Sequence, residues 1–382
     1  MSGTDLIYLD NNATTRIDPT VLEAMREAHE LAYANPGSRH AAGRKARQTL
    51  EDSREQIAEI LGAHPTEVIF TSGGTESINM ALWGLAYSPE GLILSAPGEH
   101  PATSAAIQKM LDQGWTSAEF PIDEEGLIVT ERLSDLAWNH ARLATVILAH
   151  NETGVIQTLD PIIDLCEDNR VPLHIDAVQA VGKIDVNFRK LNVTALSLTA
   201  HKFHGPRGIG ALLLKSKCQL KPLLVGGFQE SERRAGTESV PLIAGMAKAL
   251  ELWHSQKAER SKKLTEMQHQ FESGLKQALP NIVISGSAGD RLPSTSNVSF
   301  TGLDGEALLI SLDLAGIACS TGSACASGSS EPSPILLAMK TPKSVYESAI
   351  RFSFSCQNTP EEIETAIARI VEIVEPQLPP SE

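Results

Sequence analysis

Short runs of apolar, mostly branched residues punctuate the chain before residue 200: "EVIFT", "GLILS", "ATVILAH", "PLHID" and "ALSLT". Each is continuous rather than alternating, so each reads as a strand buried on both faces. Between them lie helical patterns such as "TESINMALWGLA", with Ile78, Leu82 and Leu85 on one face. A chain that alternates buried strands with amphipathic helices has few ways to fold. The expected class is α/β, with a mostly parallel sheet covered by helices.

The rhythm breaks at a long helical stretch, "PLIAGMAKALELWHSQKAERSKKLTEMQHQFESGLKQAL". The segments after it, "NIVISG", "SNVSF", "EALLISLDLAG", "AIRFSFS" and "EEIETAIARIVEIV", read as a smaller α+β unit. A chain of 382 residues is too long for one ordinary core, so a large and a small domain are expected, with the boundary in that helix.

The net charge of −15 argues against nucleic acid or an anionic membrane as partner, because both require clustered Lys and Arg. The start, "MSGTDLIYLD", carries no signal-peptide pattern, and nothing approaches the roughly 18 apolar residues of a membrane span. A cytoplasmic location is the expectation. The five cysteines, Cys166, Cys218, Cys319, Cys325 and Cys356, include no C-x-x-C pair, so no metal site is expected. Cys166 sits in an apolar segment and reads as a buried small hydrophobe, while Cys218 has no evident role.

Four places invite chemistry. In "FTSGGTES" a strand ends, two glycines make the turn, and Thr75 and Glu76 open a helix; such a start suits phosphate, though it also suits a plain turn with a capping threonine. In "PLHIDAVQAVG" Asp176 closes an apolar strand, as a ligand-facing acid or as a helix cap, with Gln179 following. In "SLTAHKFHGPRGIG" Lys202 ends another strand beside His201, as an amine nucleophile or as a snorkelling surface lysine. In "STGSACASGSS" Cys325 has nothing apolar to pack against, which suits a reactive thiol needing access and freedom to move. A phosphate cradle, an acid and a lysine in this order fit one cofactor, pyridoxal 5'-phosphate, on a type-I fold.

The ordered motifs "YLDNNATT", "NPGSRH", "FTSGGTES", "NETGVIQ", "HIDAVQAVG", "HKFHGPRGIG", "RRAGTE", "STGSACASGSSEPS" and "AIRFS" cover nearly the whole chain. Together they resemble the cysteine desulfurases of the nitrogen-fixation and iron–sulfur-cluster type, in the class V aminotransferase superfamily. The resemblance implies a large cofactor-binding domain over 15–257 and a small domain from 1–14 and 258–382 that carries the Cys325 loop. It implies that Lys202 carries the cofactor and moves the Cα proton. Asp176 then faces the pyridine nitrogen, Gln179 the ring hydroxyl and His100 the ring face. Gly74, Thr75, Thr199 and His201 hold the phosphate, and Thr237 reaches the phosphate of a second subunit, which makes a homodimer. Asn151 and Arg351 grip the substrate carboxylate, a role that a forked guanidinium fits in its own right.

The reaction so implied converts L-cysteine to L-alanine, with Cys325 taking the sulfur as a persulfide. The sulfur would pass to an acceptor protein such as an iron–sulfur scaffold. Three departures bear on that acceptor: Leu337 stands in "ILLAM", and Ser355 and Cys356 in "RFSFSC", where the family has Arg, Gly and Arg. Cys319 is an extra thiol. The alternatives are a selenocysteine lyase on the same fold, or a regulator that binds the cofactor without catalysis. Lys202 and Cys325 together oppose the second.

Overall fold

The computed structural model describes residues 6–86, 90–321 and 332–377. The chain enters through a two-residue strand, β1 (Ile7–Tyr8), and then builds a large sheet. Its strands are β2 (Val68–Thr71), β3 (Leu92–Ser95), β4 (Thr116–Glu119), β5 (Ala141–Ile147), β6 (Leu173–Asp176), β7 (Ala195–Thr199) and β8 (Gly210–Leu214). They lie in the order β2-β8-β7-β6-β5-β3-β4. Among these seven, β8 is the reversed strand, antiparallel to both of its neighbours. The remaining neighbour pairs are parallel. The carboxyl ends of β2, β5, β6 and β7 therefore share one edge, where open α/β sheets bind ligands.

The strands named from their apolar runs are almost wholly buried, and Ile78, Leu82 and Leu85 of the helix Gly74–Leu85 pack under the sheet. Among the described residues no helix is long and apolar enough to cross a membrane.

A second sheet follows, built from β9 (Val283–Ile284), β10 (Thr295–Ser299), β12 (Ser320–Thr321) and β13 (Ala349–Ser353) in the order β12-β13-β10-β9. Strand β11 (Ile317–Ala318) pairs in parallel with β1, which ties the start of the chain to this unit. The helix Val240–Ala278 serves two cores. Ile243, Met246, Leu250 and Trp253 pack with the large sheet, whereas Met267, Phe271 and Leu275 pack with the small one. Phe271 meets Phe352 and Phe354 at centroid distances of 4.9 and 5.2 Å. Such ring pairs contribute about 0.5–1.5 kcal/mol each beyond their buried area. They pin β13, and with it Arg351, against the helix.

Candidate active site

At the shared sheet edge lies a cavity of about 180 Å3. The ends of β6 and β7 supply Asp176 and Thr199, and the short turns after them supply Gln179, His201 and Lys202. The start of the helix Gly74–Leu85 adds Gly74 and Thr75, and two further loops add His100 and Asn151. Two expected residues do not line it. Arg351 is buried behind Asn151, donating from Nη1 to the Asn151 carbonyl at 3.2 Å and from Nη2 to Asp10 Oδ1 at 2.8 Å. Thr237 is exposed, on the stretch that leads into the helix Val240–Ala278. Cys325 lies outside the described residues.

Each lining group is held for a physical reason. The N-cap of the Gly74–Leu85 helix is Gly73, which has no side chain to cap it, so the first-turn N–H groups stay available to an anion. A Cβ built on Gly74 would come within 2.8 Å of Val178 Cγ2, so only glycine lets this backbone sit so close. Thr199 donates its hydroxyl to the Ile209 carbonyl at 3.0 Å and must turn to donate to a phosphate.

Asp176 accepts from the Val178 N–H at 2.9 Å, an Asx turn rather than a helix cap. Burial pushes its carboxyl up to about 6, against the pull of that N–H and of Lys202. His100 is the N-cap of the helix Pro101–Leu111, and its Nδ1 accepts from the Ala102 N–H at 3.1 Å. Burial and the Lys202 charge depress it to about 4, so the ring is neutral with its proton on Nε2. His201, its Nδ1 at 3.2 Å from Thr14 Oγ1, is pulled to about 4 by the same two causes.

Lys202 donates from Nζ to the carbonyls of Asn12 at 2.6 Å and Ala13 at 2.9 Å. Asn12 is a hub that the sequence left without a role. Its side-chain Nδ2 reaches the Asn151 carbonyl at 3.1 Å and Thr295 Oγ1 at 2.8 Å, and its carbonyl also accepts from Gln179 Nε2 at 2.9 Å. Two other buried groups escaped notice. Lys183 donates to Asn12 Oδ1 and Gln179 Oε1. Glu99, bonded to the Ile147 N–H at 2.7 Å, is pushed up to about 8 by burial and by the neighbouring Asp176 charge. Glu99 directly precedes His100, but adjacency alone carried no sign of its burial. Among the described residues no group of three or more His, Cys, Asp and Glu side chains is arranged to hold a metal ion.

Comparison with known proteins places the chain in a family. The family described as aminotransferase class V matches residues 7–365. A cysteine desulfurase of Nostoc sp. is 40% identical over 374 residues, covering 97% of this chain and 93% of that protein. A solved NifS-like protein superposes with a TM-score of 0.90 at 34% identity, covering 97% of this chain and 99% of that one. The structure of SspA in complex with cysteine superposes with a TM-score of 0.82 at 28% identity, over 92% of this chain and 99% of that one. The chain belongs to the class-V aminotransferase family, among its cysteine desulfurases.

Proposed function

We propose that the chain converts L-cysteine to L-alanine with pyridoxal phosphate as cofactor and Cys325 as the sulfur-accepting thiol. The observation that carries this reading is one cavity faced by a lysine, a buried carboxyl group and an uncapped helix start. These residues fit the cofactor. The Gly74 cradle, with Thr75 and His201 beside it, offers an anion both N–H groups and space. Asp176 gives a ring nitrogen its counter-charge, and a cation there would restore the ionisation that burial opposes. The neutral His100 presents a flat ring face and an Nε2–H. Bound here, the cofactor would take up the electrons of the Cα–H bond of an amino acid.

The chain's own work is positioning and proton movement. Lys202 Nζ leaves the Asn12 and Ala13 carbonyls to take the Cα proton, and those carbonyls receive the ammonium again between transfers. Arg351, held by Asp10 and the Asn151 carbonyl behind the cavity wall, would grip a substrate carboxylate by exchanging those partners for it; its buried Nε has no partner among the described residues. Cys325 Sγ bonds to the substrate sulfur as the Cβ–S bond breaks. Thiol plus cysteine becomes persulfide plus alanine, balanced without an outside oxidant. The persulfide sulfur then passes to an acceptor protein such as an iron–sulfur scaffold. The complex of SspA with cysteine supports cysteine as substrate.

Incubation with L-cysteine and a dithiol should release sulfide and alanine in equal amounts. Turnover of selenocysteine alone would reassign the enzyme as a selenocysteine lyase. No turnover of either would leave only a cofactor-binding regulator.

A further inference from the structure

Lys183 is a buried lysine that the reaction as proposed does not use. It is 6% exposed, and burial, with the Lys202 and Arg351 charges, pushes its ammonium well below the usual lysine range. Burying such a group costs free energy unless its donors are engaged. Both partners here are amide oxygens: Asn12 Oδ1 at 2.7 Å and Gln179 Oε1 at 2.5 Å.

As an ammonium, Lys183 only donates, and the two oxygens that face it suit that form. The amide atom facing it must therefore be oxygen, and this removes the ambiguity that amides otherwise carry. Asn12 is forced to aim Nδ2 at the Asn151 carbonyl and Thr295. Gln179 aims Nε2 the other way, toward the Asn12 main-chain carbonyl, which can only accept and so favours the same orientation. One of its two hydrogens goes to the Asn12 carbonyl at 2.9 Å, and the second is left for whatever occupies the cavity that Gln179 lines.

We propose that Lys183 is a positioning residue: by holding Gln179 Oε1 it turns the Nε2 donor toward the cavity, so that the seat opposite Gln179 selects a hydrogen-bond acceptor, the ionised ring oxygen of the cofactor. This rests on the pyridoxal phosphate reading above. It adds a lysine outside the cavity wall that, from the side opposite the Asn12 carbonyl, fixes which end of the wall's amide the ligand meets. A lysine that merely filled space could give way to an apolar side chain of similar length with no change in ligand preference.

The test compares binding of pyridoxal phosphate with binding of its 3-deoxy analogue, which lacks the ring oxygen, to the full-length protein freed of cofactor. The wild type is expected to prefer pyridoxal phosphate by about tenfold or more, the range of a hydrogen bond to a charged group. Lys183→Met, which leaves the Asn12 carbonyl alone to orient the amide, should lower that ratio severalfold while leaving affinity for the analogue unchanged. Gln179→Leu, which removes the donor itself, should bring it close to one, and the double variant should lose nothing beyond Gln179→Leu. Should Lys183→Met not fold, Lys183→Gln decides in its place, because an amide at 183 can accept as well as donate and no longer dictates the orientation. An unchanged ratio, or an equal loss of both ligands, would overturn the proposal. Failure of the wild type to bind either ligand would instead overturn the cofactor reading itself.

Discussion

Lys202 Nζ rests on the main-chain carbonyl of Asn12 at 2.6 Å, a contact between residues 190 positions apart. The N-terminal segment thus belongs to the site as much as the strand ends do. Asn12 in turn donates its N–H to Ser353 Oγ at 2.9 Å, next but one to Arg351 on β13. One short stretch couples the amine, the amide of Gln179 and the small sheet.

Lys202→Ala should abolish the visible absorbance of the cofactor-bound protein and lower desulfurase activity at least about a hundredfold, the usual worth of a positioned acid–base group. Cofactor should still bind reversibly through the Gly74 cradle and wash out on dialysis. Absorbance before and after dialysis checks both. A visible band that survives dialysis would show that another lysine carries the cofactor. Lys183 is the one to examine, being buried in the same hydrogen-bonded group.

The sequence revealed the strand ends because β6 and β7 are short, apolar and buried on every residue. Asp176 stands out at the end of such a run for the same reason: charge there is costly. Strand β4, "TSAE", was not legible, since it is a sheet edge with three of its four residues exposed. The roles of Asn12, Lys183 and Glu99 were hidden for a different reason. Each is defined by a partner brought in by tertiary folding, as in the Lys183–Asn12 bond over 171 positions, and neither periodicity nor spacing encodes that. For Arg351 the charge was legible, but its pairing with Asp10 was not.

Stability should carry the mark of Glu99 above neutral pH. Its folded value, about 8, lies above the ordinary 4.5, so the folded state holds a proton that the unfolded state has released. Stability from this group is present below about 4.5 and is lost as pH rises toward 8, at up to about 1.4 kcal/mol per unit. His100 and His201, depressed to about 4, act in the opposite direction, but only below their ordinary value of 6.5. From pH 6.5 to 8 the histidines drop out, while Lys183, held well below its ordinary range, acts against the acids equally in wild type and variant, so the difference in slope between the two reports Glu99. Glu99→Gln, which mimics the protonated form, should flatten the decline there in urea melts of the cofactor-free protein. An identical slope in the variant would show that Glu99 is ionised in the fold.

Phe228 and Val225, 83% and 84% exposed, precede Thr237 on the stretch that also ties Arg234 to Glu76 at 2.8 Å in the first turn of the cradle helix. Such large apolar side chains in water call for a cover. The resemblance to the cysteine desulfurases implies a homodimer, in which a second copy would provide it and Thr237 would reach that copy's phosphate site. Phe228→Asp should give monomers at micromolar concentration by sedimentation and weaken cofactor binding about tenfold or more, as expected if one charge-assisted hydrogen bond is lost. A wild-type chain that sediments as a monomer with full activity would remove the dimer from the account.

The sharpest test concerns which thiol takes the sulfur. Nucleophilic attack needs thiolate, and every cysteine among the described residues is pushed the wrong way. Burial raises Cys166 and Cys319 to about 12, with Asp10 adding to the effect on Cys319. Burial also raises Cys218 and Cys356. Cys356 lies 3.5 Å from His204 Nε2, yet His204 is itself held below its ordinary value by burial, which makes it a poor proton acceptor for that thiol. Cys325, set among serines, glycines and alanines in the sequence, is the candidate left. Cys325→Ala should keep the colour of the bound cofactor, respond to L-cysteine with a spectral shift, and release no sulfide. Cys319→Ala and Cys356→Ala should stay within about threefold of wild type, as substitutions away from the reacting atoms usually do. Mass spectrometry of each cysteine-containing peptide after a brief pulse of substrate should find one extra sulfur on Cys325. If the sulfur appears on Cys319 or Cys356 and never on Cys325, burial has not silenced those thiols and the assignment of the nucleophile fails.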